Sequence, residues 1–148
     1  MSLQDRLVED IKDAMRQKDE LRRTTLRMIR SAIQYEEIAK REPLDDIGVV
    51  DILSRMVRQH QESITEFQRG NRPDMVEREE AELEIVRNYL PEQISGDEIA
   101  ELARKIIADV GAAGPGDMGK VMGQLMPQIR GKADGGEVSR VVTELLAG

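Results

Sequence analysis

Apolar residues recur every three or four positions along nearly the whole chain, and each run is closed by glycine or proline. This pattern constrains the fold more than any other feature. A period near 3.6 lines one face of a helix, whereas a strand needs a period of two. The first run is Leu3, Leu7, Ile11, Ala14 and Met15. It follows Ser2, with Asp5 three residues on, which is a capping-box start for a helix over 3–17. Asp19 caps a second helix over 20–41, whose stripe reads Leu21, Thr25, Met28, Ala32 and Tyr35. Pro43 stops it, because the residue before proline is pushed out of the helical region. A third helix opens at Asp45 or Asp46 and carries Val49, Leu53, Met56, Val57, His60, Ile64 and Phe67 before Gly70-Asn71. A fourth, over 74–90, carries Val76, Leu83, Val86 and Leu90 and ends at Pro91.

The stretch Pro91–Gly96 is the natural boundary. Beyond it, Ser95 with Glu98 caps a fifth helix (Ile99, Leu102, Ile106, Val110) that Gly111 closes. The glycine-rich segment 111–119 leads into a sixth over 117–130, with Met118, Val121, Leu125 and Ile129 inward. Pro127 is expected to kink or loosen its last turn. Asp134 and Glu137 cap a seventh helix bearing Val138, Val141, Val142 and Leu145. The expectation is an all-α protein, with an N-terminal four-helix subdomain at 1–91 and a C-terminal three-helix subdomain at 92–148.

Composition narrows the chemistry. There is no cysteine and one histidine, so disulfides, thiolate nucleophiles and cysteine-based zinc sites are excluded. Two tyrosines, one phenylalanine and no tryptophan are too few for a base-stacking platform. A net charge of −7 argues against indiscriminate coating of nucleic acid. No apolar run approaches the ~18 residues of a membrane span, and the acidic start MSLQDRLVED is unlike a signal peptide. A cytoplasmic protein with no membrane association is the expectation.

A zinc site would need His60 plus carboxylates, but His60 lies in an apolar stripe, where a partly buried, hydrogen-bonded imidazole is expected. Ser63 has no glycine-flanked nucleophile turn around it. The string GPGDMGKV (114–121) contains both phosphate-loop spacings, yet Val121 stands where a P-loop needs Ser or Thr, and no strand precedes it. An interhelical turn is expected there, leaving a helix N-terminus with Lys120 nearby. The acids Glu77, Glu79, Glu80, Glu82 and Glu84 follow one helix and are expected to be solvated. No catalytic residue, metal or cofactor is expected.

Two basic features remain. Arg16, Arg23, Arg27 and Arg30 share a narrow helical sector. Pairing with the glutamates of the fourth helix is their expected role, and phosphate binding by Arg23, Arg27 and Arg30 a weaker one. Arg130 and Lys132 flank Gly131 at the end of the sixth helix, where glycine permits a backbone corner to approach a ligand. Gly119 and Gly123 form a small-residue face on that helix, open to a ligand backbone or a partner helix.

The string DMGKVMGQLMPQIRGKADGGEVSRVV (117–142) resembles the C-terminal signature of the GatB/YqeY family. LRMIRSAI (26–33), RQHQESITEF (58–67) and NYLPEQIS (88–95) resemble the N-terminal marks of its free-standing YqeY-like members. Three departures stand out: His60 where the family pattern has a basic residue, Gly70-Asn71 before Arg72 where it has Ala-Gly, and Pro127 where it has a lysine. The resemblance implies kinship with the tail of the tRNA-dependent amidotransferase B subunit, which helps hold the outer corner of tRNA. Family-level descriptions read carbon–nitrogen ligase with glutamine as amido donor, an activity of the full amidotransferase whose catalytic portions have no counterpart here. The resemblance thus implies a non-catalytic accessory module that contacts tRNA or a tRNA-bound enzyme through Arg130, Gly131, Lys132, Lys120, Gly119, Gly123 and Gln124. The alternative is a protein–protein adaptor docking a partner on the glycine-rich sixth helix.

Overall fold

The computed structural model describes residues 1–148 and forms two compact units, Met1–Leu90 and Pro91–Gly148. The first contains α1 (Leu3–Arg16), α2 (Glu20–Lys40), α3 (Asp46–Arg69) and α4 (Pro73–Arg87). The second contains α5 (Gly96–Val110), a short 3₁₀ turn at Pro115–Asp117, α6 (Met118–Ile129) and α7 (Gly135–Ala147). No strand forms; one isolated bridge pairs Arg130 with Ala133. The chain is all-α, as its periodicity requires.

Side-chain caps set the helix starts. The Ser2 hydroxyl accepts the Asp5 N–H while the Asp5 carboxylate accepts the Ser2 N–H, closing the capping box. Asp19, Asp45, Ser95 and Asp134 accept from Arg22, Gly48, Glu98 and Glu137 N–H groups respectively. Each bond satisfies a donor the helix itself leaves free. α6 differs: the Asp117 side chain caps no backbone N–H of its helix. The helix also runs through Pro127 to Ile129, where the sequence predicts a kinked or loosened last turn. The ring removes the N–H that would bond the Gly123 carbonyl, and Gly123 is exposed, so that oxygen is not sealed in the core.

Each unit has its own core. Leu26, Ile29, Ile33, Leu53 and Val86 centre the first, packed by Leu7, Ile11 and Ala14 from α1. Ile99, Ala103, Val121, Leu125, Val138 and Val142 centre the second. The structure corrects the inner face of α2. Its buried residues are Thr25, Leu26, Ile29 and Ile33, whereas Leu21, Met28 and Tyr35 are 37, 44 and 76 % exposed. Two apolar series coexist on that helix, and the one with the larger aliphatic residues wins the core.

A polar hub ties α1, α2 and the end of α4 together. The Tyr89 hydroxyl donates to Asp10, and Arg6 lies 4.4 Å over the Tyr89 ring. Arg6 also donates to the Asn88 carbonyl at 3.0 Å. Arg22 donates to Asp13 at 2.9 Å and sits 3.7 Å from Asp10. Burial, then the bond to Asp10, push the Tyr89 hydroxyl well above the usual tyrosine range. The bond to Asp13 outweighs burial at Arg22 and raises its pKa further.

Candidate functional site

In the second unit, the end of α6 turns through Arg130 into Gly131, whose φ of +79° lies in the left-handed region that glycine adopts without strain. Two bonds from the preceding segment lock this corner. Gln93 Nε2 donates to the Gly131 carbonyl at 2.7 Å, and the Ile94 N–H donates to the Lys132 carbonyl at 2.9 Å. The Lys132 N–H in turn closes on the Ile129 carbonyl at 2.8 Å. The corner's carbonyls are thereby used internally. Gly131 is buried while Arg130 and Lys132 are exposed on either side of it. The corner thus carries two exposed basic residues on a backbone whose Gly131 and Lys132 carbonyls are bonded internally.

The outer face of α6 continues the surface. Gly119, Lys120, Gly123, Gln124 and Gln128 are all exposed. A Cβ added at Gly119 or Gly123 meets nothing within 4 Å, so these glycines are not required for packing inside the unit and leave a shallow, side-chain-free strip. All seven residues expected to contact tRNA therefore fall on or around one helix and the corner that follows it. The N-terminus of α6 is less open to anions than the sequence suggests. The Asp117 carboxylate already lies there, accepting the Ala113 N–H at 2.8 Å and facing Lys120 Nζ at 3.7 Å. The Ala113 bond, more than Lys120, holds Asp117 below the usual carboxylate range.

The second basic face is not organised as expected. Arg16, Arg27 and Arg30 are exposed and none pairs with a carboxylate of α4; Arg27 instead contacts the Met15 sulfur at 3.7 Å. Arg23 is half-buried, with its Nε enclosed and without a partner. The arginines paired with acids are others, such as Arg22 with Asp10 and Asp13, and Arg55 with Glu36.

His60 is a buried, hydrogen-bonded imidazole, as its place in the apolar stripe predicts, but its partners are two acids expected to face solvent. His60 on α3 is 7 % exposed, and its Nδ1 lies 2.6 Å from Glu79 Oε2 and 3.8 Å from Glu82 Oε2 on α4. Glu82 is itself 6 % exposed, and its other oxygen accepts from Arg78 Nε at 3.4 Å. The expectation of a solvated α4 acid face therefore fails at Glu82 and Glu79. The series Val76, Glu79, Leu83, Val86 and Leu90 keeps three-and-four spacing, which places Glu79 in the apolar stripe. That was the available signal.

Two compact helical units, each with its own core, define a small all-α protein. The family model described as Yqey-like protein matches residues 4–146, and the chain belongs to that family. It is 47 % identical over 85 residues to "Altered inheritance of mitochondria protein 41, mitochondrial" of Lachancea thermotolerans, covering 57 % of this chain and 46 % of that protein. The similarly named Kluyveromyces lactis protein is 40 % identical over 84 residues, covering 56 % of this chain and 45 % of that one. That of Pyrenophora tritici-repentis is 30 % identical over 144 residues, covering 95 % of this chain and 79 % of its own. The alignments thus span under half the length of the first two relatives. These names overturn the cytoplasmic expectation, since the relatives are named as mitochondrial. The acidic start on which it rested is the capped first turn of α1, a feature of folding and not of address.

Proposed function

We propose that this protein is a tRNA-associated accessory module, without catalysis of its own, that uses the α6 face and its terminal corner as the contact surface. The observation that carries this reading is the rigid Arg130-Gly131-Lys132 corner, adjoined by the exposed glycine strip with Lys120 and Gln124. Phosphate recognition needs cations and closely approachable backbone, and folded RNA is read largely by shape and backbone contacts. The kinship to amidotransferase tails implied by the sequence motifs supports the choice of tRNA over other polyanions. With net charge −7, the rest of the surface repels nucleic acid, so binding rests on two or three local contacts. Each phosphate neutralised steepens the dependence of log K on log salt by about 0.9.

The test is a titration of the protein with deacylated tRNA at low and moderate salt, beside an unrelated RNA duplex. The double variant Arg130→Ala/Lys132→Ala is expected to bind about tenfold more weakly or worse and to lose roughly two contacts' worth of salt slope. Equal binding by the variant, or no preference for tRNA over the duplex, refutes the reading. Recovery of a stoichiometric protein partner without RNA, abolished by a bulky residue at Gly123, supports the adaptor instead.

A further inference from the structure

We propose that His60, Glu79 and Glu82 bind one divalent transition-metal ion of the zinc class in the seam between α3 and α4. The three donor atoms, one from each side chain, lie within 4.8 Å of one another. Tetrahedral zinc holds nitrogen and oxygen donors at about 2.0–2.2 Å, which sets neighbouring donors roughly 3.4 Å apart. The observed separations from Nδ1, 2.6 Å to Glu79 and 3.8 Å to Glu82, bracket that value. Small side-chain rotations on two fixed helices suffice to reach it.

Charge and burial give the second argument. The His60 and Glu82 side chains are 8 and 7 % exposed and that of Glu79 is 19 % exposed. Two carboxylates are therefore withdrawn from water beside a single arginine, Arg78, whose own side chain is 61 % exposed. Such an arrangement needs another cation between the carboxylates and the imidazole. A divalent ion meets that need with three ligand bonds. The donor set, one imidazole and two carboxylates, is hard-to-borderline and contains no sulfur, which favours zinc-like ions over soft copper(I). Arg78 holds the outer oxygen of Glu82 and so turns the inner one toward Nδ1, an orienting contact of the kind metal sites use. Donors on facing helices, two of them at i and i+3, are how helical bundles build metal sites. Three protein ligands leave a fourth position for water on the more exposed Glu79 side.

The experiment titrates zinc, and separately cobalt(II), into the metal-stripped full chain, with a chromophoric chelator as competitor. Wild type is compared with Glu79→Gln, His60→Gln and the exposed-face control Glu80→Gln. Expected are one ion per chain, cobalt absorption bands of a low-coordinate site, and zinc affinity reduced at least tenfold in the first two variants but unchanged in the control. Circular dichroism checks that each variant folds. If a variant does not, amide shifts in wild type decide, since zinc must then perturb residues around 60 and 79–82. Absence of binding in wild type, equal affinity in all four proteins, or shifts centred elsewhere overturns the proposal and leaves the cluster a structural hydrogen-bonded contact between α3 and α4.

Discussion

Replacing Tyr89 by phenylalanine removes one hydroxyl from the hub that joins α1, α2 and the end of α4, and the structure sets the size of the effect. Tyr89 is 5 % exposed and its hydroxyl donates to the Asp10 carboxylate. A hydrogen bond to a charged group contributes about 1.5–3 kcal/mol. Asp10 is not orphaned by the change, because it is 26 % exposed and keeps Arg6 at 3.6 Å and Arg22 at 3.7 Å. The expected loss is therefore at the lower end, about 1.5–2 kcal/mol, with a fall in melting temperature of roughly 4–8 °C per kcal/mol for a unit of this size. Urea and thermal unfolding followed by tyrosine fluorescence and circular dichroism measure it.

The same bond has a pH signature. Burial and Asp10 raise the Tyr89 pKa above its unfolded value of about 10, so the folded state keeps the proton that the unfolded state gives up. This contribution is complete below about pH 10 and is lost as pH rises beyond it. In a tyrosinate absorbance titration, Tyr89 should ionise only as the first unit unfolds. Ionisation of Tyr89 near the ordinary tyrosine pKa while the helix signal persists, or no loss of stability in Tyr89→Phe, refutes the reasoning.

Two further substitutions probe the second unit. Leu125→Ala, at a fully buried position, should destabilise it by about 2–5 kcal/mol, read as an earlier urea midpoint by circular dichroism. Gly131→Ala forces a side chain into the left-handed region at φ +79° and should cost on the order of 1 kcal/mol, with weaker tRNA binding than that modest loss explains if the corner is the contact surface.

The helices were legible because their boundaries rest on local chemistry. Asp19, Asp45, Ser95 and Asp134 cap where expected, since a side-chain oxygen three residues before a backbone N–H has few better partners. The inner face of α2 was not legible. Leu21, Met28 and Tyr35 form as regular a series as Leu26, Ile29 and Ile33, and only packing against α1, α3 and α4 decides between them. The Arg130-Gly131-Lys132 corner was visible as a string, but its two locking bonds come from Gln93 and Ile94, far away in sequence. The His60 cluster was hidden by the acid run itself. Glu79 and Glu82 face inward while Glu77, Glu80 and Glu84 are exposed, a distinction that composition erases and helical angle preserves.

The division into two cores, combined with where the rings fall, shapes every optical measurement. Tyr35, Phe67 and Tyr89 all belong to the Met1–Leu90 unit. Aromatic fluorescence and near-ultraviolet dichroism are therefore silent about Pro91–Gly148, whereas far-ultraviolet dichroism sums over both units. Two probes that disagree in midpoint would show a state in which one half has melted and the other has not, so the protein carries its own spectroscopic label for one half.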